Sequence, residues 1–306
     1  GTYWYHSHSG LQEQVGHYGP LILDPAGTDP VQYDREHVLV LSDWSFLHPH
    51  MIFTRLKQEG GFFNRQKLTL MDKLKGRNPL TSEDREMFAR MRMDPTDTSD
   101  VTAAAHTFLI NGHSPAENWT GLFRNGERVR LRIINSATQT TFNFRIPGLR
   151  MTVVQADGIN VRPVDVGEFQ IGNAETYDVI VTPADQAYTI VAETIDRSGQ
   201  GTATLAPRAG MRAAIPPLRE RPVLTMANMG MGSDHSGMAG MDHSGMAGMD
   251  HSGMVQGAEA ATPAAPMDHG SMNMRDKSKV NFPVGVGVDM IAPCPRTEPA
   301  IRASAS

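Results

Sequence analysis

Short runs of β-branched and aromatic residues, separated by turn residues, recur along most of the first two thirds of this chain. Runs of this kind at short spacing are typical of an all-β sandwich or barrel. Asn125-Gly126 and Asp157-Gly158 add the dipeptides that tight β-hairpins prefer. The predicted strands lie at residues 2–6, 19–23, 37–42, 106–110, 128–134, 141–145, 151–155, 169–171, 177–181, 188–193 and 202–205.

A different pattern interrupts the strands between residues 45 and 100. Thr81-Ser-Glu-Asp84 has the form of a helix start, in which a threonine caps the first turn and an acidic residue follows three positions later. Met87 and Met91 then recur at helical spacing. We therefore expect a helical insertion in the β-domain.

The overall composition excludes several classes of protein. The net charge of −5 lacks the basic excess of a nucleic-acid-binding protein, so we expect no nucleic-acid partner. The longest apolar runs, such as residues 38–41, are far shorter than a membrane span requires. A single cysteine, Cys294, excludes an internal disulfide.

Residues 226–274 contain 11 methionines and no Leu, Ile or Phe. The eight-residue unit Asp-His-Ser-Gly-Met-Ala-Gly-Met begins at Asp234, recurs at Asp242 and restarts at Asp250. Such a segment cannot bury enough apolar surface to fold by itself, so we expect it to be disordered without a ligand. Thioethers select Cu(I) and imidazoles bind copper in both oxidation states, which predicts copper capture; the alternative is a linker whose methionines are incidental. The candidate ligands are Met238, Met241, Met246, Met249, Met254, His235, His243, His251 and His269.

His6-Ser7-His8, at the end of the first predicted strand, is the sharpest local motif. Residues two apart on a strand point to the same face, so the two imidazoles are expected on one side, roughly 7 Å apart. Such a pair suits two neighbouring metal ions, and the alternative is a pair of exposed strand-end histidines. The sequence also contains His48-Pro-His50, His106 and His113, for which we expect a solvated loop and two structural histidines, respectively.

The segments 1–10 and 19–24 together resemble the second His-x-His element of the multicopper oxidase family. The Met-rich stretch resembles the copper-resistance protein A branch of that family, and the resemblance covers roughly residues 1–295. Further matching segments lie at residues 12–14, 38–44, 111–113, 118–123, 128–134, 157–158 and 175–180.

The resemblance implies copper as cofactor, O2 as electron acceptor, Cu(I) or phenolic donors, and a periplasmic location. His6 and His8 match the pair that binds the two type 3 coppers, each histidine holding a different copper. The family has eight cluster histidines in four such elements, of which this chain carries one. It also has a type 1 copper site with a His-Cys-His element, which Pro293-Cys294-Pro295 does not provide.

The same resemblance divides the chain into four regions. Residues 1–30 correspond to the end of a first cupredoxin-like domain, and residues 31–210 to a second, a Greek-key β-sandwich with the insertion at about 45–100. Residues 211–280 form the Met/His-rich copper-binding segment and residues 281–306 a tail. In the tail, the copper-resistance protein A branch usually has the stretch Asp-Pro-Gly-Ile-Gly-Leu. One set of codons for that stretch, translated in another reading frame, gives residues 300–305 of this chain. We therefore expect a frameshift that removed the third cupredoxin domain.

Two functions from different classes follow. The first is a copper-resistance multicopper oxidase, incomplete in this chain and completed by the missing parts of a full-length protein. The alternative is a non-catalytic periplasmic protein that sequesters Cu(I) through its Met/His repeats. A third reading, a structural β-sandwich with a low-complexity linker, leaves the repeat and the pair His6 and His8 unexplained.

Overall fold

The computed structural model describes residues 1–98 and 103–225. Residues 1–224 belong to one compact unit, built from strands with a helical excursion. The strands are β1 (Thr2–His6), β2 (Tyr18–Ile22), β3 (Arg35–Trp44), β4 (Thr107–Ile110), β5 (Thr120–Leu122), β6 (Val129–Asn135), β7 (Phe142–Arg145), β8 (Met151–Ala156), β9 (Ile159–Val166), β10 (Glu168–Ile171), β11 (Thr176–Val181), β12 (Tyr188–Thr194) and β13 (Gln200–Ala206). The helices are α1 (Pro49–Gln58), α2 (Leu70–Leu74) and α3 (Ser82–Met91).

Eleven of these strands form two sheets. One sheet has the order β10-β7-β12-β13-β5 and the other the order β4-β3-β6-β11-β8-β9. Neighbouring strands are antiparallel except for β3 with β6 and β13 with β5, which are parallel. The two inner faces enclose one hydrophobic core, which includes Leu131, Phe142, Phe144, Val179 and Ile190. The predicted all-β sandwich is confirmed.

A two-stranded hairpin of β1 and β2 lies against the outer face of the six-stranded sheet. Strand β6 directs Val129, Leu131 and Ile133 into the core, so its alternate residues face outward. Two of these are Arg130 and Arg132, yet only 1% and 2% of their surfaces are exposed. They are buried because β1 and the residues that precede β3 cover this face of the sheet.

The segment between β3 and β4 contains the three helices, as the sequence predicts. Thr81 caps α3 by accepting a hydrogen bond from the backbone of Asp84, whose carboxylate in turn accepts from the backbone of Thr81, so the predicted capping box is confirmed. Phe88 packs on the inner side of α3 and is almost fully buried. The insertion therefore has a small apolar contact region of its own.

Two details of the sequence interpretation are wrong. Asn125-Gly126 connects β5 to β6, which belong to different sheets, so this turn does not close a hairpin. An Asn-Gly dipeptide fits any tight turn that needs a positive φ at glycine, as Gly126 has here. It does not determine whether the two strands beside the turn pair with each other. Asp157-Gly158 does close a hairpin, between β8 and β9, with positive φ at both residues.

The second wrong detail concerns His48-Pro-His50. These residues start α1, with His48 as the N-cap residue and Pro49 in the first turn, because proline needs no hydrogen-bond acceptor there. The sequence interpretation also missed β5, which has only three residues, and β9, which is exposed along seven of its eight positions.

After β13 the chain runs without regular secondary structure along the five-stranded sheet. Thr189 on β12 donates a hydrogen bond to the carbonyl of Ala214, and Gln200 on β13 donates one to the carbonyl of Pro216. Arg219 pairs with the fully buried Glu193. We call residues 211–224 the strap; in the sequence they precede the methionine cluster at residues 226–274.

Several predictions fall beyond this description. The Met/His-rich segment from residue 226 onward, with all its candidate copper ligands, and the tail at 281–306 lie outside the described residues. The division into regions at residues 30, 210 and 280 stays a prediction. Within the described residues, no helix is long and apolar enough to cross a bilayer.

Candidate metal centre

His6 and His8 lie side by side at the end of β1, as the sequence predicts. His6 is the last residue of the strand and His8 is two residues beyond it, in the loop that leads to β2. Their ring centroids are 4.5 Å apart and the rings are tilted by 39°. This separation is shorter than the predicted spacing of roughly 7 Å along a strand, because the strand ends between the two residues and the rings lean together.

Two side chains flank the ring of His6. The indole of Trp4 stacks on it at a centroid distance of 4.2 Å and an angle of 15°. On the edge of the ring, Oε2 of Glu13 lies 3.3 Å from Nδ1 of His6. That nitrogen is buried, and it makes no hydrogen bond of regular geometry. His6 is therefore held by an aromatic face on one side and faces a carboxylate at one nitrogen.

The loop between β1 and β2 is fixed by two contacts within itself. The backbone N–H of Ser7 donates to the carbonyl of His17, and its hydroxyl donates to Oε1 of Gln12. A short 3-10 turn, Glu13–Val15, follows and ends at Gly16, whose φ of 95° suits glycine. Glu13 consequently lies at the start of a defined turn.

The same loop is also clamped to the sandwich. The side-chain amide of Gln14 donates to the carbonyl of Asp43, and its Oε1 lies 2.5 Å from the hydroxyl of Thr138. Asp43 is buried, and its carboxylate accepts from the backbone of Thr138 and from the hydroxyl of Thr140. Gln14 therefore connects the turn that carries Glu13 to the backbone carbonyl of Asp43 and the hydroxyl of Thr138 in the β-sandwich.

The other end of β1 is anchored by a buried ion network. Thr2 donates from its hydroxyl to Asp178, and Nη1 of Arg132 donates to the Thr2 oxygen at 3.0 Å. Asp178 accepts two hydrogen bonds from Arg130. The strand that carries the histidine pair is thus fixed to the sheet at its start and through its following loop.

The other predicted copper ligands lie outside the described residues, so the structure does not test whether they meet the pair. Among residues 1–98 and 103–225, no group of three or more His, Cys, Asp or Glu side chains is arranged to hold a metal ion. His48 and His50 are exposed at the start of α1, where the His48 side chain accepts a hydrogen bond from the backbone N–H of His50, and their ring centroids are 5.5 Å apart. His113 bonds to the backbone of its own turn. His106 lies by Gln139, and burial lowers its pKa, so it favours the neutral form.

Sequence reasoning missed the residues that position the pair. In the sequence, Glu13 and Gln14 belong only to a segment that matches the family, and no pattern there shows that one contacts His6 and the other Asp43. Asp43, Thr138 and Asp178 are distant in sequence from His6, so no local spacing connects them. The one signal in the sequence is an acidic residue, Asp43, directly after the predicted strand 37–42; in the structure it belongs to β3 and is buried.

The arrangement suits copper as the partner of the pair. Imidazole binds copper in both oxidation states, and a ligating histidine typically directs its other ring nitrogen at a carboxylate or carbonyl. The buried Nδ1 of His6, without a regular hydrogen bond and next to Glu13, fits this requirement. With copper bound there, the pair would supply part of its coordination shell.

Comparison with known proteins identifies the family of the chain. Residues 81–215 match the family described as Multicopper oxidase. The chain is 53% identical over 244 residues to copper resistance protein A of Escherichia coli, covering 78% of this chain and 40% of that protein. It is 50% identical over 244 residues to a copper resistance protein A homolog of Pseudomonas syringae pv. tomato, covering 78% of the chain and 41% of the relative.

The chain also resembles a multicopper oxidase of Mycobacterium tuberculosis, with 34% identity over 210 residues, 69% of this chain and 39% of the relative. It spans about two fifths of the length of these relatives. A solved laccase from Botrytis aclada has a TM-score of 0.50 and 23% identity, covering 72% of this chain and 38% of the laccase, which supports the cupredoxin-like fold. The chain belongs to the multicopper oxidase family, in the branch of copper resistance protein A, and copper is the cofactor of that family.

Proposed function

We propose that this chain contributes to a copper-dependent oxidase that serves copper resistance, with O2 as acceptor and Cu(I) or a phenol-like compound as donor. The observation that carries the proposal is the pair His6 and His8, side by side at the end of an anchored strand in a chain that is 53% identical to a copper resistance protein A. The family match favours this oxidase over sequestration without turnover. A periplasmic location is part of the proposal and is supported by the same resemblance.

In this proposal His6 and His8 each hold one copper of the type 3 pair. Copper, when bound, supplies the electron transfer to O2. The residues of this chain keep the two imidazoles together: Trp4 restricts the ring plane of His6, and the loop between β1 and β2 fixes the backbone around His8. The remaining copper ligands come from other parts of the complete oxidase.

Copper binding at the pair can be tested locally with the three tryptophans of the chain. With 5-fluorotryptophan incorporated, Cu(II) should broaden the fluorine resonance of Trp4, which stacks on His6, before those of Trp44 and Trp119. His6→Gln combined with His8→Gln should abolish the selectivity. Equal broadening of all three resonances in the unaltered chain would contradict a site at this pair.

The oxidase function needs a complete protein, and the Escherichia coli relative provides one. Residues 1–225 of this chain should replace the matching segment of that relative with retention of copper tolerance and phenol oxidation. His6→Gln in the chimera should abolish both, whereas His113→Gln, at an exposed turn, should not. A chimera that stays active without His6 would overturn the proposed role.

A further inference from the structure

Glu13 is the carboxylate that the fold places against the buried nitrogen of His6. Oε2 of Glu13 and Nδ1 of His6 are 3.3 Å apart. We propose that Glu13 is a positioning residue for His6: its carboxylate keeps the proton on Nδ1, so that the imidazole presents the free lone pair of Nε2 to copper. The inference rests on the proposed function and deepens it.

The chemical reason lies in the two nitrogens of a neutral imidazole. One nitrogen carries the proton and the other has the lone pair that a metal needs. The hydrogen bond made by the first nitrogen decides which tautomer is present. A carboxylate beside Nδ1 stabilises the Nδ1–H tautomer, because a negatively charged oxygen accepts this proton and repels a lone pair.

The second reason is that the surroundings of the His6 ring restrict its rotation and its choice of hydrogen-bond acceptors. The stacked indole of Trp4 restricts rotation out of the ring plane. Burial of Nδ1 keeps water from that nitrogen, so Glu13 is the acceptor within reach there. At 3.3 Å the two atoms lie just beyond the range of about 2.7–3.2 Å that regular N–H···O hydrogen bonds have.

The third reason is that Glu13 is itself fixed from the β-sandwich. The next residue, Gln14, is clamped between the carbonyl of Asp43 and the hydroxyl of Thr138. Because Glu13 and Gln14 start the same short turn, the clamp sets the direction of both side chains. Asp43 and Thr138 of the sandwich thereby orient His6 on the neighbouring hairpin, through Gln14 and Glu13.

The tautomer can be measured in the metal-free chain. Long-range ¹H–¹⁵N correlation spectra distinguish Nδ1–H from Nε2–H for each histidine at a pH above the usual histidine pKa, and His6→Gln assigns the signal. We expect Nδ1–H in the unaltered chain and in Glu13→Gln, which keeps an acceptor oxygen. Glu13→Leu should shift His6 to Nε2–H. Glu86→Leu, an exposed glutamate on α3, is the matched control and should change nothing.

Two results would overturn the inference: an Nε2–H tautomer in the unaltered chain, which would make Nδ1 the copper ligand, or an unchanged Nδ1–H tautomer in Glu13→Leu. Equal midpoints of chemical unfolding for Glu13→Leu and Glu13→Gln would show that a change of the His6 tautomer in Glu13→Leu is not caused by misfolding. The tautomer is measured without copper, so the two proposals can fail separately. An Nδ1–H signal that depends on Glu13, together with no broadening of the Trp4 resonance by Cu(II), would contradict the proposed function and still support the effect of Glu13 on the His6 tautomer.

Copper affinity gives the second measurement. Loss of a carboxylate that orients a metal-binding histidine typically weakens metal binding by about 10–100-fold. Glu13→Leu should therefore raise the Cu(II) concentration needed to broaden the Trp4 resonance by about that factor. Glu13→Gln should recover most of the affinity. Equal affinities for Glu13→Leu and the unaltered chain would contradict the inference.

Discussion

The hydroxyl of Thr2 donates a 2.7 Å hydrogen bond to Oδ1 of Asp178, which lies 176 residues further along the chain. Asp178 is fully buried, and its other oxygen is shared by Arg130 and Arg132. The strand that ends in His6 therefore starts on a buried ion network of the β-sandwich. The five residues of β1 connect this network to His6.

The first prediction concerns that network. Asp178→Ala leaves two buried guanidinium groups without their shared carboxylate, which should lower the free energy of unfolding by about 3–5 kcal/mol. Thr2→Val removes one neutral partner and should cost only about 1 kcal/mol. Urea unfolding followed by circular dichroism is the measurement. Thr152→Val, which loses an exposed hydrogen bond to Asp165, is the control and should cost less than either.

The second prediction concerns acid stability. Burial lowers the pKa of His106 and of His37 from the usual 6.5, against opposing attraction from nearby carboxylates. Below about pH 6.5 the unfolded chain binds protons that the folded chain does not, so stability falls on acidification, by at most about 1.4 kcal/mol per pH unit for each histidine. His106→Gln should flatten this fall between neutral pH and the lowered pKa. His113→Gln, at an exposed turn, should leave the profile unchanged.

The third prediction concerns the strap, residues 211–224. Arg219 binds Glu193 and Glu168, and these charge-assisted bonds outweigh the effect of burial and raise the pKa of the guanidinium. Arg219→Ala should therefore release the strap and speed hydrogen exchange of its amides. Arg208→Ala breaks only an exposed pair with Asp185 and should have no such effect. Unchanged exchange in Arg219→Ala would show that the backbone contacts of the strap suffice.

The fourth prediction concerns residues 226–274. Deletion of this segment should remove most of the Cu(I) bound by the chain while Zn(II) binding changes little, because thioethers prefer the softer ion. Anaerobic titration against a chromogenic chelator measures both. His6→Gln with His8→Gln should leave most of the Cu(I) stoichiometry intact. A stoichiometry that survives the deletion would contradict copper capture by the segment.

The fifth prediction concerns catalysis by the chain alone. It carries two of the eight cluster histidines that the family resemblance requires, and Cys294 lies between prolines, without the histidines of a type 1 site. The 306-residue polypeptide loaded with copper should consume no O2 with a phenolic donor. O2 consumption that disappears in His6→Ala would show that a second chain completes the cluster.

Much of the fold could be predicted from the sequence because its physical cause is local. Alternating apolar residues gave most strands, the Thr81 capping box located α3, and the spacing of two residues at a strand end placed His6 and His8 next to each other. The strands with which β5 and β6 pair, on either side of Asn125-Gly126, could not be predicted in the same way. A turn dipeptide predicts only that the chain reverses direction. Which sheet each neighbouring strand joins depends on residues that are distant in the sequence.

The sequence by itself determined the class of the fold, the helical insertion and the histidine pair, since each depends on residues a few positions apart. Only the tertiary structure decided that Arg130 and Arg132 are buried, although their alternation on β6 is that of a solvent-facing row. The reason is that β1 covers them and Asp178 compensates their charge. Tertiary structure likewise decided the contact of Glu13 with His6, because the direction of that carboxylate depends on the clamp of Gln14 by Asp43 and Thr138.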